Sequence, residues 1–587
     1  MNLILKATCL LLLISSAAYS QERNDQLSES IRLNQLGFYP DAPKIAIITS
    51  SDVSTYSLLT SDGKQTVLSG FKLKESDYPA LNGNKTYIAD FSFFKNKGDF
   101  VLYVDGLGHS YPFSIKDSVN NNLAKATIKA FYYQRASTAL PEEFAGKWHR
   151  SAGHPDDQVL IHPSAATASR PAGTIINASR GWYDAGDYNK YIVNSGITTA
   201  TLLSTYEDFP AYVKGLDLSI PESRNQVPDL LDEILWNIRW MLTMQDPEDG
   251  GVYHKLTNAS FDGMVMPEVT KDPRYAVQKG TAATLDFAAV LAQASRIFKE
   301  YENELPGLAD SCYKASLAAW NWAQKNPNVI YNQDEMNTKF EPKVTTGAYG
   351  DRNFTDEFIW AASELSVTSK DGQYIKSLNL LPDNSMPLPT WSNVRLLGYY
   401  TLAKNEKLLD SIAPEYFTGL KSRIINAAVS YIADVDKSAY KTVMGKSARD
   451  FNWGSNSNAA NQGIALVQAY NLTGDKEFLK YALSNLDYLL GRNATGYSFV
   501  TGYGSKTPMF PHHRPSVADG IVDPVPGLLI GGPNPGKQDG VALPSSVPSE
   551  AYVDASESYA TNEIAINWNA PMVYLSVAME ALQDEFF

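Results

Sequence analysis

The chain of 587 residues contains only two cysteines, Cys9 and Cys312. Cys9 lies in an apolar N-terminal segment, so removal of that segment would leave Cys312 as the only cysteine. We therefore expect no internal disulfide and no metal site built on thiolates. The stability of the fold has to come from buried apolar side chains, which a chain of this length can supply.

Clusters of Lys and Arg are also missing. The formal net charge is −14 and the pI is near 5.1. Nucleic-acid binding requires a basic patch, so a nucleic-acid partner is excluded. An acidic surface also repels polyanions, which favours a neutral polymer over a charged one as the ligand.

Long apolar runs are absent beyond the N-terminus. Residues 1–20 contain one positive charge, a short apolar run and small residues before position 20. This pattern predicts a signal peptide, because the apolar run is too short to span a bilayer. The alternative is a buried N-terminal helix. We expect an exported protein, periplasmic or extracellular, without membrane insertion.

Residues 28–117 have a β-type pattern. Short runs rich in β-branched and aromatic residues alternate with turn signals such as Asp62-Gly63. The pattern predicts a small all-β immunoglobulin-like sandwich, which lacks the cysteine pair of antibody domains. We expect it to pack against the next domain, although its tip could also bind a ligand. The predicted strands are 44–48, 55–59, 87–91 and 99–104.

Residues 118–587 have a helical pattern, with apolar residues at helical spacing. We expect a ring of about a dozen helices, an (α/α) toroid, with a cleft lined by unstructured loops. Loops of such length are usually functional. The predicted helices are 122–135, 227–244, 280–301, 356–368, 459–472 and 476–490, and the long loops are 144–186, 246–278 and 491–549.

The first candidate site is a tight turn in which Ala and Gly separate Asp184 from Asp187. Both carboxylates can point the same way, so one can polarise a bound water while the other deprotonates it. Like charges this close also raise the pKa of one of them. Two alternatives remain open: Asp187 caps a following helix, or the turn binds calcium.

The second candidate is Glu563, which is followed by the apolar residues Ile564 and Ala565. A carboxyl group in apolar surroundings keeps its proton near neutral pH, as a general acid must. Tyr559 precedes Glu563 by four residues, so we expect both on one face of a helix. Asp554 is expected in the preceding loop. The alternative is an ordinary glutamate at a helix start.

The third candidate is the Gly-rich segment 498–504 with the following residues His512, His513 and Arg514. Such a group can bind sugar hydroxyls and keep a carboxylate ionised. Metal binding by the adjacent histidines is the competing interpretation.

At these three segments the chain resembles glycoside hydrolase family 9, whose members are β-1,4-glucanases with an (α/α)6 barrel. One family signature runs from Ser498 to Arg514 and another from Tyr552 to Ala570, and the Asp-Ala-Gly-Asp motif lies at 184–187. The resemblance covers roughly residues 118–587. The β region resembles the immunoglobulin-like domain that many members carry.

The resemblance implies that Glu563 is the general acid and Asp187 the general base of an inverting hydrolysis, with Asp184 helping to hold the water. Inversion requires room for that water, so the two carboxyl groups should lie about 6.5–9.5 Å apart. Asp554 would support the adjoining loop. The implied sugar contacts are His512, Arg514, Tyr559, His254 and Trp453, and for Trp453 the alternative is a core tryptophan.

Some relatives bind zinc through a Cys/His cluster before the Asp-Ala-Gly-Asp turn. Here that loop contains His149, His154 and His162 but no cysteine, so we expect no zinc site of that type and no required cofactor. Calcium occurs in parts of the family, and the sequence shows no clear ligand set for it.

The resemblance implies an endo-β-1,4-glucanase acting on cellulose-type glucan, mixed-linkage glucan or xyloglucan, and we expect a monomer. No Trp-rich cellulose-binding module is visible, which favours soluble or branched glucans. One alternative is a polysaccharide lyase that uses Tyr559 and His512, with Arg514 neutralising a uronate. The other is a non-catalytic glycan-binding protein, against which the presence of both Asp187 and Glu563 argues.

Overall fold

A computed structural model describes residues 26–51, 53–412 and 414–586. The predicted signal peptide lies outside these residues. In the described part, a β region is followed by a helical region that extends to the C-terminal end.

The β region consists of two facing sheets. One sheet has the strand order β1-β3-β7-β6, and the other has the order β2-β10-β8-β4-β5 with β9 beside β8. Phe38 lies between the sheets and contacts the ring edges of Phe91 and Phe113, each at 5.4 Å between ring centroids. The strands are β1 (Ile31–Arg32), β2 (Gly37–Phe38), β3 (Ile45–Ile48), β4 (Thr55–Thr60), β5 (Thr66–Lys72), β6 (Lys74–Glu75), β7 (Tyr87–Asp90), β8 (Gly98–Val104), β9 (Gly108–His109) and β10 (Phe113–Ile115).

The sandwich confirms the sequence-based expectation. The four predicted strands correspond to β3, β4, β7 and β8. The sequence pattern missed β5, a strand that is largely exposed and therefore lacks an apolar face.

Within the described residues, twelve helices alternate between an outer and an inner ring. The inner ring is closed by contacts in the order α2-α4-α6-α8-α10-α12 and back to α2. This is the predicted (α/α)6 barrel. The helices are α1 (Asn121–Tyr133), α2 (Ile192–Asp208), α3 (Asp229–Thr243), α4 (Thr281–Phe298), α5 (Leu308–Lys325), α6 (Thr355–Ser369), α7 (Gln373–Lys376), α8 (Arg395–Lys404), α9 (Pro414–Ile432), α10 (Ser455–Thr473), α11 (Lys476–Leu489) and α12 (Ile566–Ala581).

The inner helices are buried on nearly all sides. In α4 every residue except Arg296 is buried, and α12 is buried except at Trp568 and Ala581. A helix surrounded by protein needs no polar face, so α2 and α12 show little amphipathic periodicity and were missed in the sequence. None of the described helices has the length and apolar character needed to cross a membrane.

The expectation of unstructured loops is wrong for residues 144–186 and 246–278. These loops form a five-stranded sheet at the barrel mouth in the order β12-β11-β15-β14-β13. The sheet ends at β13, directly after the Asp184–Asp187 turn, and so fixes the position of that turn. The strands are β11 (Val159–Ile161), β12 (Ile175–Ile176), β13 (Lys190–Tyr191), β14 (Lys255–Asn258) and β15 (Arg274–Ala276).

Short helices complete the loops. The single-turn and two-turn α-helices are Glu142–Ala145, Pro210–Lys214, Gln333–Lys339, Glu406–Ile412, Arg514–Ala518 and Tyr559–Asn562. The 3₁₀ helices are Gly146–Trp148, Pro163–Ala165, Lys299–Tyr301, Val435–Lys437, Ala448–Asp450, Pro548–Glu550 and Gln583–Phe586.

The sandwich is held to the barrel by buried polar contacts. The Asn34 amide donates to the Asp487 carboxylate at 2.8 Å. The Gln35 side chain donates to the Gly496 carbonyl and accepts the backbone N–H groups of Ser505 and Lys506. The β domain therefore contacts the loop that leads to His512 and Arg514.

Candidate active site

Backbone pairing joins three segments that are far apart in the sequence. Ala185, inside the Asp184–Asp187 turn, forms an antiparallel bridge with Ala565, and His512 forms a parallel bridge with Glu563. All three segments lie at the mouth of the barrel, where the inner helices α2 and α12 begin. The structure thus brings together the three segments that the sequence singled out.

Gly186 is required by this close approach. A Cβ atom at this position would lie 2.1 Å from the His512 carbonyl oxygen, a distance that excludes any side chain. The Gly186 carbonyl also accepts hydrogen bonds from the Arg514 backbone N–H at 3.1 Å and from Arg514 Nη1 at 2.8 Å. The glycine of the Asp-Ala-Gly-Asp motif is therefore the contact point between two site segments.

Asp187 is buried and held by two donors. Its Oδ2 atom accepts hydrogen bonds from the Asn189 amide at 2.6 Å and from the Tyr191 hydroxyl at 3.3 Å. Helix α2 begins at Ile192 with Tyr191 as its N-cap residue. The alternative interpretation of Asp187 as a helix cap is therefore wrong.

Asp184 is more deeply buried than Asp187. The Asn194 amide donates to both of its carboxylate oxygens at 2.9 and 3.0 Å, and the Tyr349 hydroxyl donates to Oδ2 at 3.1 Å. Burial, and then the nearby charge of Asp187, raise the pKa of Asp184 to about 8. Asp184 therefore retains its proton near neutral pH.

Glu563 lies between two helices and not on one. The short helix Tyr559–Asn562 ends just before it, and its backbone is extended with φ −75° and ψ 153°. The expectation that Tyr559 and Glu563 share a helix face is wrong, because the bridge to His512 pulls Glu563 out of helical geometry. It is likewise not an ordinary glutamate at a helix start.

The electrostatic surroundings of Glu563 favour its neutral form. Burial raises its pKa well above the usual range, and the charges of Asp187 and Asp184 raise it further, while Arg514 acts in the opposite direction. Three carboxyl groups thus share one site, in which ionisation of one disfavours ionisation of the others.

This shared site should make the folded protein less stable at higher pH. The pKa of Asp184 is above its ordinary value, so its contribution to stability is fully present below about pH 4 and is lost as the pH rises through about 8. Between these two pH values the Asp184 carboxyl group should lower the free energy of unfolding of the wild type by about 1.4 kcal/mol for each pH unit, and Asp184→Asn should abolish this loss. Denaturant unfolding at several pH values measures the slope, and an unchanged slope would contradict the assignment.

The two adjacent histidines face different partners. His513 is buried with Nε2 at 2.9 Å from Gln134 Oε1 and Nδ1 at 2.9 Å from Ser516 Oγ. His512 Nδ1 lies 2.6 Å from the Ser556 carbonyl. The pair therefore does not form a shared metal site. In the ranges that the structure describes, no group of three or more His, Cys, Asp or Glu side chains is arranged to hold a metal ion.

The rim of the cleft contains further residues singled out in the sequence. The Asp554 carboxylate accepts the backbone N–H groups of Met509 at 2.8 Å and Phe510 at 2.9 Å. Trp453 is 44% exposed, and its ring centroid lies 5.6 Å from that of Tyr559. The alternative of Trp453 as a core residue is therefore wrong. The pair forms an open aromatic surface beside the carboxyl groups.

Comparison with known proteins places this geometry in a family. The model of glycosyl hydrolase family 9 matches residues 121–576, and that of the cellulase N-terminal immunoglobulin-like domain matches residues 26–109. The chain belongs to glycosyl hydrolase family 9. The predicted family, fold class and enzyme class, a hydrolase of β-1,4-glucans, are thereby confirmed, and the lyase alternative is wrong.

Relatives of this family 9 enzyme match along nearly the whole chain. A xyloglucan-specific endo-β-1,4-glucanase of Bacteroides ovatus is 46% identical over 556 residues, which cover 94% of each chain. Endoglucanase D of Acetivibrio thermocellus is 34% identical over 561 residues, covering 94% of this chain and 83% of that one. A solved family 9 structure from Bacteroides ovatus has a TM-score of 0.90 at 44% identity, covering 95% of this chain and all of that one.

His254 of the family 9 enzyme lies beneath the cleft surface and not in it. Its ring stacks on Tyr331 at 3.9 Å between centroids, and its Nε2 atom lies 2.8 Å from the Ala348 carbonyl. Only 1% of the residue is exposed, and burial lowers its pKa to about 3. In this structure His254 therefore supports the segment next to Tyr349 instead of making the expected sugar contact.

Sequence reasoning missed Tyr349 and Trp391. Tyr349 has the unusual backbone angle φ 48°, and its hydroxyl donates to Asp184. The Trp391 ring packs against Tyr349 edge-on at 5.3 Å. No sequence motif marked either residue, because a left-handed backbone angle and a contact across 165 positions arise only in the folded chain.

The loop that precedes the Asp184–Asp187 turn carries a buried ion cluster. The Asp156 carboxylate accepts from Lys190 Nζ at 2.6 Å and from Arg274 Nε at 3.0 Å. Burial and the charges of Arg274 and Lys190 lower the pKa of the neighbouring His154 to about 2. Two cations thus neutralise the loop carboxylate and tie this loop to β13 and β15.

Lys190→Met should destabilise the family 9 enzyme by about 1.5–3 kcal/mol, because the buried Asp156 carboxylate loses one of its two charged donors while Arg274 remains. The variant also loses two backbone carbonyl contacts of the ammonium group. Denaturant unfolding measures the change. Arg224→Met is the control, since Arg224 is 92% exposed and should contribute almost nothing. Equal midpoints for both variants would contradict the role of the cluster.

Proposed function

We propose that this family 9 hydrolase is an exported, inverting endo-β-1,4-glucanase with a preference for xyloglucan. The observation that carries the proposal is the convergence of Asp184, Asp187 and Glu563 in one site at the barrel mouth, where the pKa values of Asp184 and Glu563 are raised. Acid and base assignments follow from groups whose environments separate their proton affinities.

The reaction is a single displacement. Glu563, which holds its proton, donates it to the glycosidic oxygen as the bond from that oxygen to the anomeric carbon breaks. A water molecule attacks the same carbon from the opposite face and gives up a proton to Asp187. Asp184 orients this water. Burial raises the pKa of Asp184, so Asp184 keeps its own proton while it orients the water.

Tyr349 and Asn194 support the proposed role of Asp184. Both donate hydrogen bonds to Asp184, which fixes the direction of its carboxyl group next to Asp187. Asn194 lies on helix α2 and Tyr349 on a loop, so the carboxyl group is held by two separate segments, one of which is a helix. No step requires a group that the chain itself does not supply.

The stereochemistry of the product tests the mechanism. Proton NMR of a freshly cleaved xyloglucan oligosaccharide should show the α-anomer of the new reducing end before mutarotation mixes the forms. Initial release of the β-anomer would indicate retention, and the proposed pairing of Asp187 with Glu563 would fall.

The proposed substrate preference rests on the 46% identity to a xyloglucan-specific enzyme and on the net negative charge of the chain, which favours a neutral polymer over a polyanion. We expect the fastest release of reducing ends from xyloglucan, with a rapid fall in viscosity as the mark of endo action. Mixed-linkage glucan and soluble cellulose derivatives should be slower, and crystalline cellulose slowest. Equal rates on xyloglucan and crystalline cellulose would contradict the preference.

Export and the monomeric state belong to the same proposal. Residues 1–20 support export, and fractionation of producing cells should find the protein outside the cytoplasm. Light scattering should give the mass of one chain. The sequence shows no clear ligand set for calcium, and a fall in melting temperature on addition of a chelator would reveal bound calcium.

A further inference from the structure

Residues 259–272, here called the clamped loop, lie beside the catalytic turn. The Asp262 carbonyl accepts hydrogen bonds from Arg514 Nε at 3.0 Å and Nη2 at 2.8 Å. The Asp262 carboxylate accepts from the Asn258 amide at 3.0 and 3.1 Å and from the Thr270 hydroxyl at 2.5 Å. The Asp262 side chain therefore connects Asn258, just before the loop, to Thr270 near its far end.

Two further contacts fix the middle of the clamped loop. The Tyr188 hydroxyl donates to the Val265 carbonyl at 2.6 Å. Pro267 packs against Gly153 so closely that a Cβ atom on Gly153 would lie 2.5 Å from it. The loop is consequently held against the segment that carries the Asp184–Asp187 turn.

Despite this firm anchoring, the clamped loop presents apolar side chains to solvent. Phe261 is 49%, Met264 38% and Val269 61% exposed. Single exposed apolar residues are common, but several on one held loop beside an active site indicate a surface that binds something. Its position beside the catalytic groups makes the substrate the occupant.

Phe261 is the member of this set with a fixed relation to the catalytic groups. The Arg514 guanidinium carbon lies 5.8 Å from the centroid of its ring. The same guanidinium donates to the carbonyl of Gly186, the residue before Asp187. One side chain therefore sets the distance between the aromatic ring and the general base.

We propose that Phe261 is a stacking platform for a pyranose ring of the substrate outside the cleaved bond. The apolar C–H face of a neutral pyranose fits an exposed aromatic ring. The inference rests on the proposed glucanase function. The ring can belong to a backbone glucosyl unit or to a xylosyl branch, since both present the same C–H face.

The test compares Phe261→Ala with the wild type on a ladder of unbranched β-1,4-gluco-oligosaccharides and on xylosylated ones of matched backbone length. We expect kcat/KM to fall by about tenfold, mainly through KM, once the oligosaccharide is long enough to reach the ring. Phe261→Tyr should restore most of the loss. Phe93→Ala is the matched control, because Phe93 is 55% exposed on the β domain.

The two substrate series show whether Phe261 stacks on a backbone glucosyl unit or on a xylosyl branch. A loss on both series supports a backbone platform, and a loss confined to xylosylated substrates supports a branch platform. A loss of equal size at every chain length would mean that Phe261 acts by placing Arg514, and the platform would be overturned. No loss in either series would overturn it as well.

Electrophoresis in gels that contain xyloglucan separates this inference from the function on which it rests. If the wild type is retarded and hydrolyses glucan but Phe261→Ala is retarded equally, only the platform fails. If the wild type is retarded and Phe261→Ala migrates faster while neither cleaves any glucan, the platform holds and the proposed function fails. If xyloglucan does not retard the wild type, the platform fails too.

Discussion

Replacement of Glu563 by Gln is expected to lower kcat on xyloglucan by a factor of about 100 to 10,000 while binding is retained. The amide keeps the size of the side chain but cannot deliver a proton to the glycosidic oxygen. The raised pKa of Glu563 indicates that its neutral form is the normal state, so the variant changes little in the charge of the resting site.

Leaving-group dependence supplies the control for Glu563→Gln. An aryl glycoside with a strongly acidic phenol needs no protonation, so its hydrolysis should fall much less than that of the polymer. Binding is measured by retardation in xyloglucan gels. Near-normal turnover of the polymer, or an equal loss on both substrates, would remove Glu563 from the role of general acid.

Asp187→Asn is expected to lower kcat by a similar factor, about 100 to 10,000, on polymer and activated substrates alike. Every substrate requires the attacking water to be deprotonated, so a better leaving group cannot compensate. The variant also removes the charge that raises the pKa values of Asp184 and Glu563. Without that charge the pKa of Glu563 is lower, so the residual activity should fall off on the alkaline side at a lower pH than in the wild type.

Azide provides an independent check on Asp187→Asn. A small anion that takes the place of the attacking water can attack the anomeric carbon without losing a proton, so azide should raise the rate on an activated substrate. The product should be the glycosyl azide of inverted configuration. A collapsed site would also abolish activity on every substrate and would not respond to azide. The variant must therefore show near-native circular dichroism and near-native retardation in xyloglucan gels. Unchanged turnover in Asp187→Asn would contradict the assignment outright.

The two variants differ in a way that the geometry predicts. The fall in rate caused by Glu563→Gln depends on the leaving group, whereas the fall caused by Asp187→Asn does not. Asp184→Asn should resemble loss of the base, because Asp184 adjoins Asp187 and is oriented by Asn194 and Tyr349. The substrate response thus separates Glu563 from the two aspartates, which the rate alone would not do.

The sequence alone determined much of this protein. The sequence pattern located four strands of the sandwich and six helices of the barrel, the outer helices α1, α3 and α11 and the inner helices α4, α6 and α10. Asp184, Asp187 and Glu563 were found because their chemistry and spacing are local: a tight turn, and a carboxyl group beside apolar residues. The composition by itself led to the expectation of no nucleic-acid partner and no internal disulfide.

Only the tertiary structure decided the rest. Helices α2 and α12 lie in the inner ring and have no solvent face, so their sequences lack the period that marks a helix. Glu563 is extended because of its pairing with His512. His254 lies beneath the cleft, and Tyr349 reaches Asp184 from 165 positions away. Local sequence encodes local conformation and solvent contact, whereas these features depend on which distant segments meet.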